Sequence, residues 1–212
     1  MNIKERMHSG NLYLPTEESL AKEQMECLDL LFEYNHLPPS KTAEKKRLLE
    51  KMFAEIGKEC YIETPFYANW GGRHVHFGHH IYANFNLTMV DDTHIYVGDH
   101  TMIGPNVTIA TGTHPILPSL REKEFQYNRP VYIGKNCWIG AAAVILPGVT
   151  IGDRSVIGAG SVVTKDIPAD TVAVGNPCRV LRKIGETDRI YYAKECPIKW
   201  EDVENVYEKD VK

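Results

Sequence analysis

His114 is the residue of this sequence best equipped to move a proton at neutral pH. It stands at the start of THPILPSLREKEFQYNRP (113–130), a stretch crowded with proline and charge. An imidazole's ordinary pKa lies near neutrality, so it can take a proton from a weak nucleophile and give it back, a role worth roughly 10²–10⁴ in rate. Four further histidines, His74, His76, His79 and His80, sit close together. On an extended strand His74 and His76 share a face, as a metal-ligand pair would, and a surface or inter-subunit role competes with that reading. The cysteines, Cys27, Cys60, Cys137, Cys178 and Cys196, are scattered and form no C-x-x-C pair, so neither a zinc knuckle nor a redox motif is supported.

Such groups need a scaffold, and the sequence carries one as a repeat. Branched aliphatics recur at every sixth position through Ile133, Ile139, Ile145, Ile151, Ile157 and Val163, with Val97, Ile103 and Ile109 in the same phase. Glycine usually follows (Gly98, Gly104, Gly134, Gly140, Gly152, Gly158). A small or β-branched residue comes four places after each aliphatic, as at Thr101, Val107, Ala143, Val149, Ser155 and Ser161. A period of six matches neither an α-helix nor an open sheet. It predicts a three-sided coil with one short strand per side, the aliphatic pointing inward and glycine taking up corner conformations, with coils stacked about 4.8 Å apart. The competing architecture, an antiparallel sandwich with glycine-rich turns, would not hold this phase through consecutive repeats. Cys137 falls at the small inward position, and Trp138 is a packing or cleft-lining residue. The phase fails once, between Ile109 and Ile133, where Pro115, Pro118 and Pro130 interrupt it. A repeat that extrudes a loop and then resumes register commonly carries function on that loop.

Before the repeat, residues 1–59 read as a helical segment. Leu20, Leu28, Leu31 and Phe32 share a face of a helix over 17–34 with Thr16 as its cap; a second helix, capped by Ser40, presents Leu48, Leu49, Met52, Phe53 and Ile56 and stops at Gly57. Two helices this small need the repeat domain to pack against. The coil domain spans 60–183 with its loop at 111–130, and 184–212 is an acidic, aromatic tail expected to lay a helix over a neighbouring coil. The chain has 212 residues and 24 Lys+Arg against 28 Asp+Glu, a net charge of −4 that argues against a duplex-coating nucleic-acid binder. With 43% hydrophobic and 25% charged residues, neither disorder nor a membrane protein fits. No apolar run reaches membrane length, MNIKERMHSG lacks a signal peptide's core, and scattered thiols suit a reducing compartment, so a cytoplasmic protein is expected.

The segments IYANFNLTMVDD (81–92), ATGTHP (110–115), IGKNCWIG (133–140), PGVTIGDRSVIGAGSVVTKDIP (147–168) and VGNPCRV (174–180) resemble the galactoside and maltose O-acetyltransferases, a branch of the hexapeptide-repeat acyltransferases. GNLYLPTEESL (10–20) and EYNH (33–36) look like that branch's N-terminal helical segment. The resemblance covers Met7 to Arg182 and implies a mainly β fold: a left-handed parallel β-helix with an N-terminal two-helix segment and an extruded loop, assembled as a homotrimer with active sites between subunits. It implies transfer of acetyl from acetyl-CoA to a sugar hydroxyl with no metal required. His114 matches the family's catalytic histidine. Asn84 matches the residue credited with binding acceptor and stabilising the oxyanion, and Asp92 an acceptor-binding carboxylate. Asn69 falls near another acceptor contact, in NWGGRH, which carries one residue more than the family pattern. Glu17 stands where family members often have Asp against the sugar, a departure that bears on which sugar is used. Lys165, Arg179 and Arg182 match contacts to the phosphates of CoA, which guanidinium groups suit by donating paired hydrogen bonds. Ala141, Ala159 and Thr164 match places where backbone lies along the pantetheine arm.

The chemistry is consistent with these residue types. A sugar hydroxyl attacking a thioester needs a general base, and the tetrahedral intermediate needs donors for its oxyanion. Two alternatives share the scaffold. One is acetyl transfer to a non-sugar hydroxyl, such as a xenobiotic or serine. The other is a zinc-dependent lyase, since carbonic anhydrases on this scaffold hold zinc with three histidines, although the His74–His80 cluster lies in the first coil without that family's spacing.

Overall fold

A six-residue aliphatic period requires a prism, and the computed structural model, which describes residues 1–210, contains one. Its first sheet stacks Glu55–Ile56, Val75–Phe77, Ile95–Val97, Val131–Ile133 and Thr150–Ile151. The second stacks Tyr61–Ile62, Tyr82–Ala83, Met102–Ile103, Trp138–Ile139, Val156–Ile157 and Thr171–Val174, and ends in the antiparallel strand Arg179–Lys183. The third stacks Tyr67–Ala68, Thr88–Val90, Thr108–Ala110, Val144–Ile145 and Val162–Val163. Pairing within the coils is parallel, which excludes the sandwich. Ile133 aligns with Ile151, Ile139 with Ile157 and Ile145 with Val163, each three steps of the period. The aliphatics are buried, as are Thr101, Val107, Ala143, Val149, Ser155 and Ser161 at the second inward position. Cys137 is buried there too, whereas Trp138 points outward, 58% exposed. The solenoid begins earlier than residue 60, because Glu55–Ile56 already pairs with Val75–Phe77.

The glycines after the aliphatics serve a different end from the one expected. The left-handed corner residue lies two places further on, at His100, Asn106, Asn136, Ala142, Gly148, Arg154 and Gly160, with φ between 53° and 83°. Most of these carry a side chain that tolerates the conformation at some cost. The earlier glycines are set by contact with the next coil: a Cβ on Gly134 would collide with Asp153 Oδ1, and one on Gly140 would lie 2.6 Å from the Ala159 nitrogen.

Three helices precede the coils, not two. In α1 (Ile3–Ser9), Asn2 accepts from the Glu5 N–H while the Glu5 carboxylate accepts from the Asn2 N–H, a reciprocal capping box that the N-x-x-E spacing announces. Helix α2 (Glu18–His36) is capped at Glu17 rather than Thr16, and α3 (Thr42–Met52) at Lys41 rather than Ser40; neither residue makes a side-chain cap bond. The buried face of α2 runs through Leu20, Leu31 and Tyr34, leaving Phe32 65% exposed and stacked on His36. Phe32 lies about 100° around the helix from Leu31, outside that face. Helix α3 ends at Met52, and Gly57 is no cap: it follows a strand, and a Cβ there would collide with the Gly78 carbonyl oxygen. Leu31, Tyr34, Leu48, Leu49, Met52 and Phe53 join the aliphatic stack in one core, so the helices pack on the coils.

The break in phase is a hairpin-like excursion. Gly112–Thr113 pairs antiparallel with Tyr127–Asn128, and a short helix α4 (Pro118–Arg121) lies between them. Register then resumes, with Ile95 beside Val131 and Val97 beside Ile133. Beyond the coils come α5 (Glu186–Ile190), a small hairpin of Tyr191–Ala193 with Cys196–Pro197, and α6 (Trp200–Asp210). Among the described residues of the tail, Trp200, Val203, Val206 and Tyr207 are exposed rather than packed on a coil.

Candidate active site

Each time the chain passes from the third sheet to the first it must turn an edge of the prism. Three successive crossings, residues 69–74, 91–94 and 111–130, stack one above another there. Asn69, Asp92 and His114 occupy those crossings. Sequence positions far apart thus become neighbours through coil stacking alone.

Asp92 is the centre of the edge. Its side chain is buried, the Asn69 amide donates to Oδ1, and the Gln126 amide donates to Oδ2 at 3.3 Å. Burial raises its pKa, and the bonds from Asn69 and Gln126 together with the field of His114 oppose that rise. A Cβ on Gly112 would collide with Oδ2, so the excursion closes against the carboxylate only because residue 112 has no side chain. Beside it, Asp91 is fully buried and accepts from the N–H groups of Trp70 at 2.6 Å and Gly72 at 3.0 Å, tying the first crossing to the second.

His114 is exposed, with Nδ1 3.1 Å from the carbonyl oxygen of Phe125 across the excursion. A carbonyl only accepts, so Nδ1 carries the proton and Nε2 keeps its lone pair. That tautomer is the one a general base needs.

The other site candidates are distributed over the prism. Asn84 lies on the edge between the second and third sheets, half-buried, with its own Oδ1 accepting from the Phe85 N–H at 2.8 Å. The corner-ladder role open to an Asn in a β-helix belongs instead to Asn86, which donates to Asn106 at 3.1 Å. Ala141 and Ala159 share the Asn84 edge in later coils, where the Gly160 N–H donates to the Ala141 carbonyl at 2.8 Å. Thr164 and Lys165 fall on the His114 edge, exposed, and Arg179 and Arg182 on the last strand of the second sheet. Arg182 is already engaged: its guanidinium donates to both oxygens of Asp188 at 2.7 Å, and that bond holds the Asp188 carboxyl down at about 2. Glu17 caps α2 and accepts from Ser19 at 3.0 Å; the hydrogen bond that brings α2 to the edge comes from Gln24, to the Asn69 carbonyl at 2.9 Å. One chain therefore gathers Asn69, Asp92 and His114, and sets Asn84 and the alanines on a different edge.

Residues that no sequence argument singled out complete the His114 edge. Tyr13, Gln126 and Asn128 are buried beside Asp92, and Asn128 donates to the Tyr13 hydroxyl at 2.9 Å and to the Met7 carbonyl at 2.9 Å. The signal available is the alternation of Gln126 and Asn128 around Tyr127, which puts both amides on one face of a strand.

The histidine grouping also differs from the sequence pattern. His79 accepts from the Lys58 N–H at 3.0 Å and His80 stacks on His100 at 4.7 Å, both away from His74. His74 instead clusters with His8 from α1 and with His94, ring centroids 4.7 Å and 5.8 Å away, and His94 in turn meets His76 at a nitrogen separation of 2.9 Å. Among the described residues no three His, Cys, Asp or Glu side chains are placed to hold a metal ion. Burial lowers His74 to about 4, helped by His8, His94 and Arg73 and opposed by the Asp91 carbonyl. Burial likewise lowers His94 to about 4, helped by His8 and His76, and it lowers His8 against the pull of Glu23. Imidazoles depressed below their ordinary 6.5 contribute stability that is complete above pH 6.5 and is lost as pH falls toward 4. Asp91, pushed up to about 7 chiefly by burial, has the opposite sign and offsets part of that loss. His94→Gln should accordingly lose less melting temperature than the wild type between pH 7 and pH 4.5; equal losses in thermal unfolding would assign the acid sensitivity elsewhere.

Comparison with known proteins locates this geometry. A model of the maltose acetyltransferase hexapeptide capping motif matches residues 6–57, and a model of the six-repeat bacterial transferase hexapeptide matches residues 130–165. A galactoside O-acetyltransferase of Lactococcus lactis subsp. lactis is 57% identical over 183 residues, 86% of this chain and 88% of the relative. A galactoside O-acetyltransferase of Escherichia coli is 45% identical over 195 residues, 92% of this chain and 96% of the relative. Among solved structures, a galactoside acetyltransferase in complex with coenzyme A superposes with a TM-score of 0.91 at 44% identity, covering 94% of this chain and 99% of that one.

Proposed function

The chain belongs to the galactoside and maltose O-acetyltransferases, acetyl-CoA-dependent enzymes of the hexapeptide-repeat class, and from that premise we propose that it transfers acetyl to a hydroxyl of a sugar or glycoside with His114 as general base. The observation that carries this reading is the His114 edge: an exposed histidine whose Nδ1 is bonded to a carbonyl, on the same edge as a buried carboxylate and an amide. Sugar hydroxyls both donate and accept, so a carboxylate and an amide side by side suit them as partners.

In this mechanism Nε2 of His114 removes the acceptor's hydroxyl proton as the oxygen attacks the thioester carbonyl. The Nδ1 bond to Phe125 holds the ring in the required tautomer. The new C–O bond generates an oxyanion, which the amide of Asn84 stabilises. Collapse breaks the C–S bond, and the proton held by His114 goes to the departing CoA sulfur. Asn84 of the same chain stands on another edge, so the complete site is made where the Asn84 edge of one subunit meets the His114 edge of the next. A homotrimer of prisms provides that meeting at each of its interfaces. Coenzyme A then lies with its pantetheine arm along Ala141, Ala159 and Thr164 and its phosphates near Lys165 and Arg179. Arg182 reaches them only by sharing or leaving Asp188. The five cysteines are free, as suits a cytoplasmic enzyme in a reducing compartment.

A panel of galactosides, maltose, glucose, serine and a xenobiotic alcohol with acetyl-CoA, followed by thiol release, tests the assignment. Turnover is expected on one or more sugars; turnover on serine or the xenobiotic alone would overturn the sugar reading.

A further inference from the structure

The acceptor carboxylate is held by more than the crossing it belongs to. Tyr13 and Gln126 pair through their backbones in both directions, at 3.0 and 3.1 Å, so the segment after α1 adds a bridge to the returning limb of the excursion. Within that bridge the side-chain amide of Gln126, 9% exposed, donates to the Tyr13 hydroxyl and reaches Asp92 Oδ2 at 3.3 Å and Asn128 Oδ1 at 3.4 Å. Asn128 donates to the Tyr13 hydroxyl at 2.9 Å and to the Asp92 backbone carbonyl at 3.3 Å. Both Asp92 oxygens are therefore claimed, Oδ1 by Asn69 and Oδ2 by Gln126. Asn69 comes from the coil below, and Gln126 arrives from the opposite side.

We propose that Gln126, itself fixed by Tyr13 and Asn128, is a positioning residue that sets the plane of the Asp92 carboxylate for the acceptor, making the segment through Tyr13 a structural part of the acceptor site. The inference rests on the acetyl-transfer reading for its kinetic consequence. A carboxylate anchored on one oxygen only rotates about its Cβ–Cγ bond, and a hydroxyl that meets it then loses a charge-assisted bond of fixed direction. The Gln126 side chain bonds Tyr13, Asp92 and Asn128 and makes no hydrogen bond to His114 or Asn84, so its loss falls on acceptor binding. Asn69 and the Trp70 indole hold the carboxylate from the first crossing, and Gln126 is the anchor that ties Oδ2 to the excursion on the other side.

Gln126→Leu keeps the bulk and removes the donor. It should raise KM for the acceptor about tenfold while KM for acetyl-CoA stays within about twofold. Tyr13→Phe should do the same to a smaller extent. Gln126→Glu adds a signature that packing cannot mimic. The carboxyl it introduces can donate when protonated and cannot when ionised, so acceptor KM should approach the wild-type value in acid and climb as pH rises. A substrate-free readout accompanies these, the ¹³C titration of the Asp92 carboxyl, which should move to higher pH in Gln126→Leu because a bond to the charged form has been removed. Unchanged acceptor KM and an unchanged Asp92 titration, or an equal rise in both KM values in Gln126→Leu and Tyr13→Phe, would overturn the proposal. If Gln126→Leu does not fold, Tyr13→Phe and Gln126→Glu decide it. Wild-type protein that acetylates no hydroxyl would refute the acetyl-transfer reading instead, and the Asp92 titration would still decide the positioning.

Discussion

His114→Ala lowers kcat for acetyl transfer by roughly a hundredfold or more, while the dissociation constant of coenzyme A stays close to that of the wild type. The size follows from the chemistry. A neutral hydroxyl attacking a thioester must shed its proton in the transition state, and without Nε2 that proton passes to water. The selectivity follows from position: His114 is exposed on the excursion and bonded to Phe125, and within the chain it stands on a different edge from Ala141 and Ala159. Its removal leaves no cavity and no unpaired buried group, so folding should be preserved, as a melting curve would verify. Thiol release under saturating substrates and calorimetric titration with coenzyme A make the measurement. A kcat within tenfold of the wild type would remove His114 from the role of base.

The second large effect is a recovery. Asn84→Ala removes the proposed oxyanion donor, which should cost about 10²–10³ in kcat, and like His114→Ala it should be nearly inactive by itself. Refolded together in equal amounts, the two variants should regain activity. In a site shared between neighbours, an Asn84→Ala subunit still presents His114 and a His114→Ala subunit still presents Asn84, so a random trimer restores about a quarter of its interfaces. The recovery depends on the separate edges on which the two residues stand. If one chain supplied both, no mixture could restore a complete site, and activity would stay at the level of the separate variants.

Much of this architecture is legible along the chain because a solenoid is built from local periodicity. Val97, Ile103 and Ile109 share phase with Ile133 to Val163 since these coils repeat the same inward demand, and between Val97 and Val163 the lapse is the excursion that bears His114; the coils before it step 20 or 21 residues and the last steps 16. Departures from the sequence pattern arise from contact between coils. The glycines after the aliphatics do not form the corners, because Gly134 and Gly140 are dictated by atoms of the following coil, and the corners fall to residues such as Asn106 and Arg154. Gly57 resembles a helix stop in sequence for the same reason: its close approach to the Gly78 carbonyl has no trace in the residues around it. Helix α1 is different, since Asn2 and Glu5 are a local sign of it in the sequence itself.

The sequence by itself determined the prism, its single excursion and the candidate base, because aliphatic period and interrupted phase are properties of neighbouring residues. Only the tertiary structure decided which groups meet. Stacking sets Asn69 from one coil and Gln126 from the excursion on opposite oxygens of Asp92, brings Tyr13 and His8 from the N-terminal segment onto the same edge, and leaves Asn84 on another. It also turned Arg182 toward Asp188. These pairings join residues separated by a coil or by most of the chain, and such distances are closed by the packing of whole elements rather than by any local preference of the residues that end up touching.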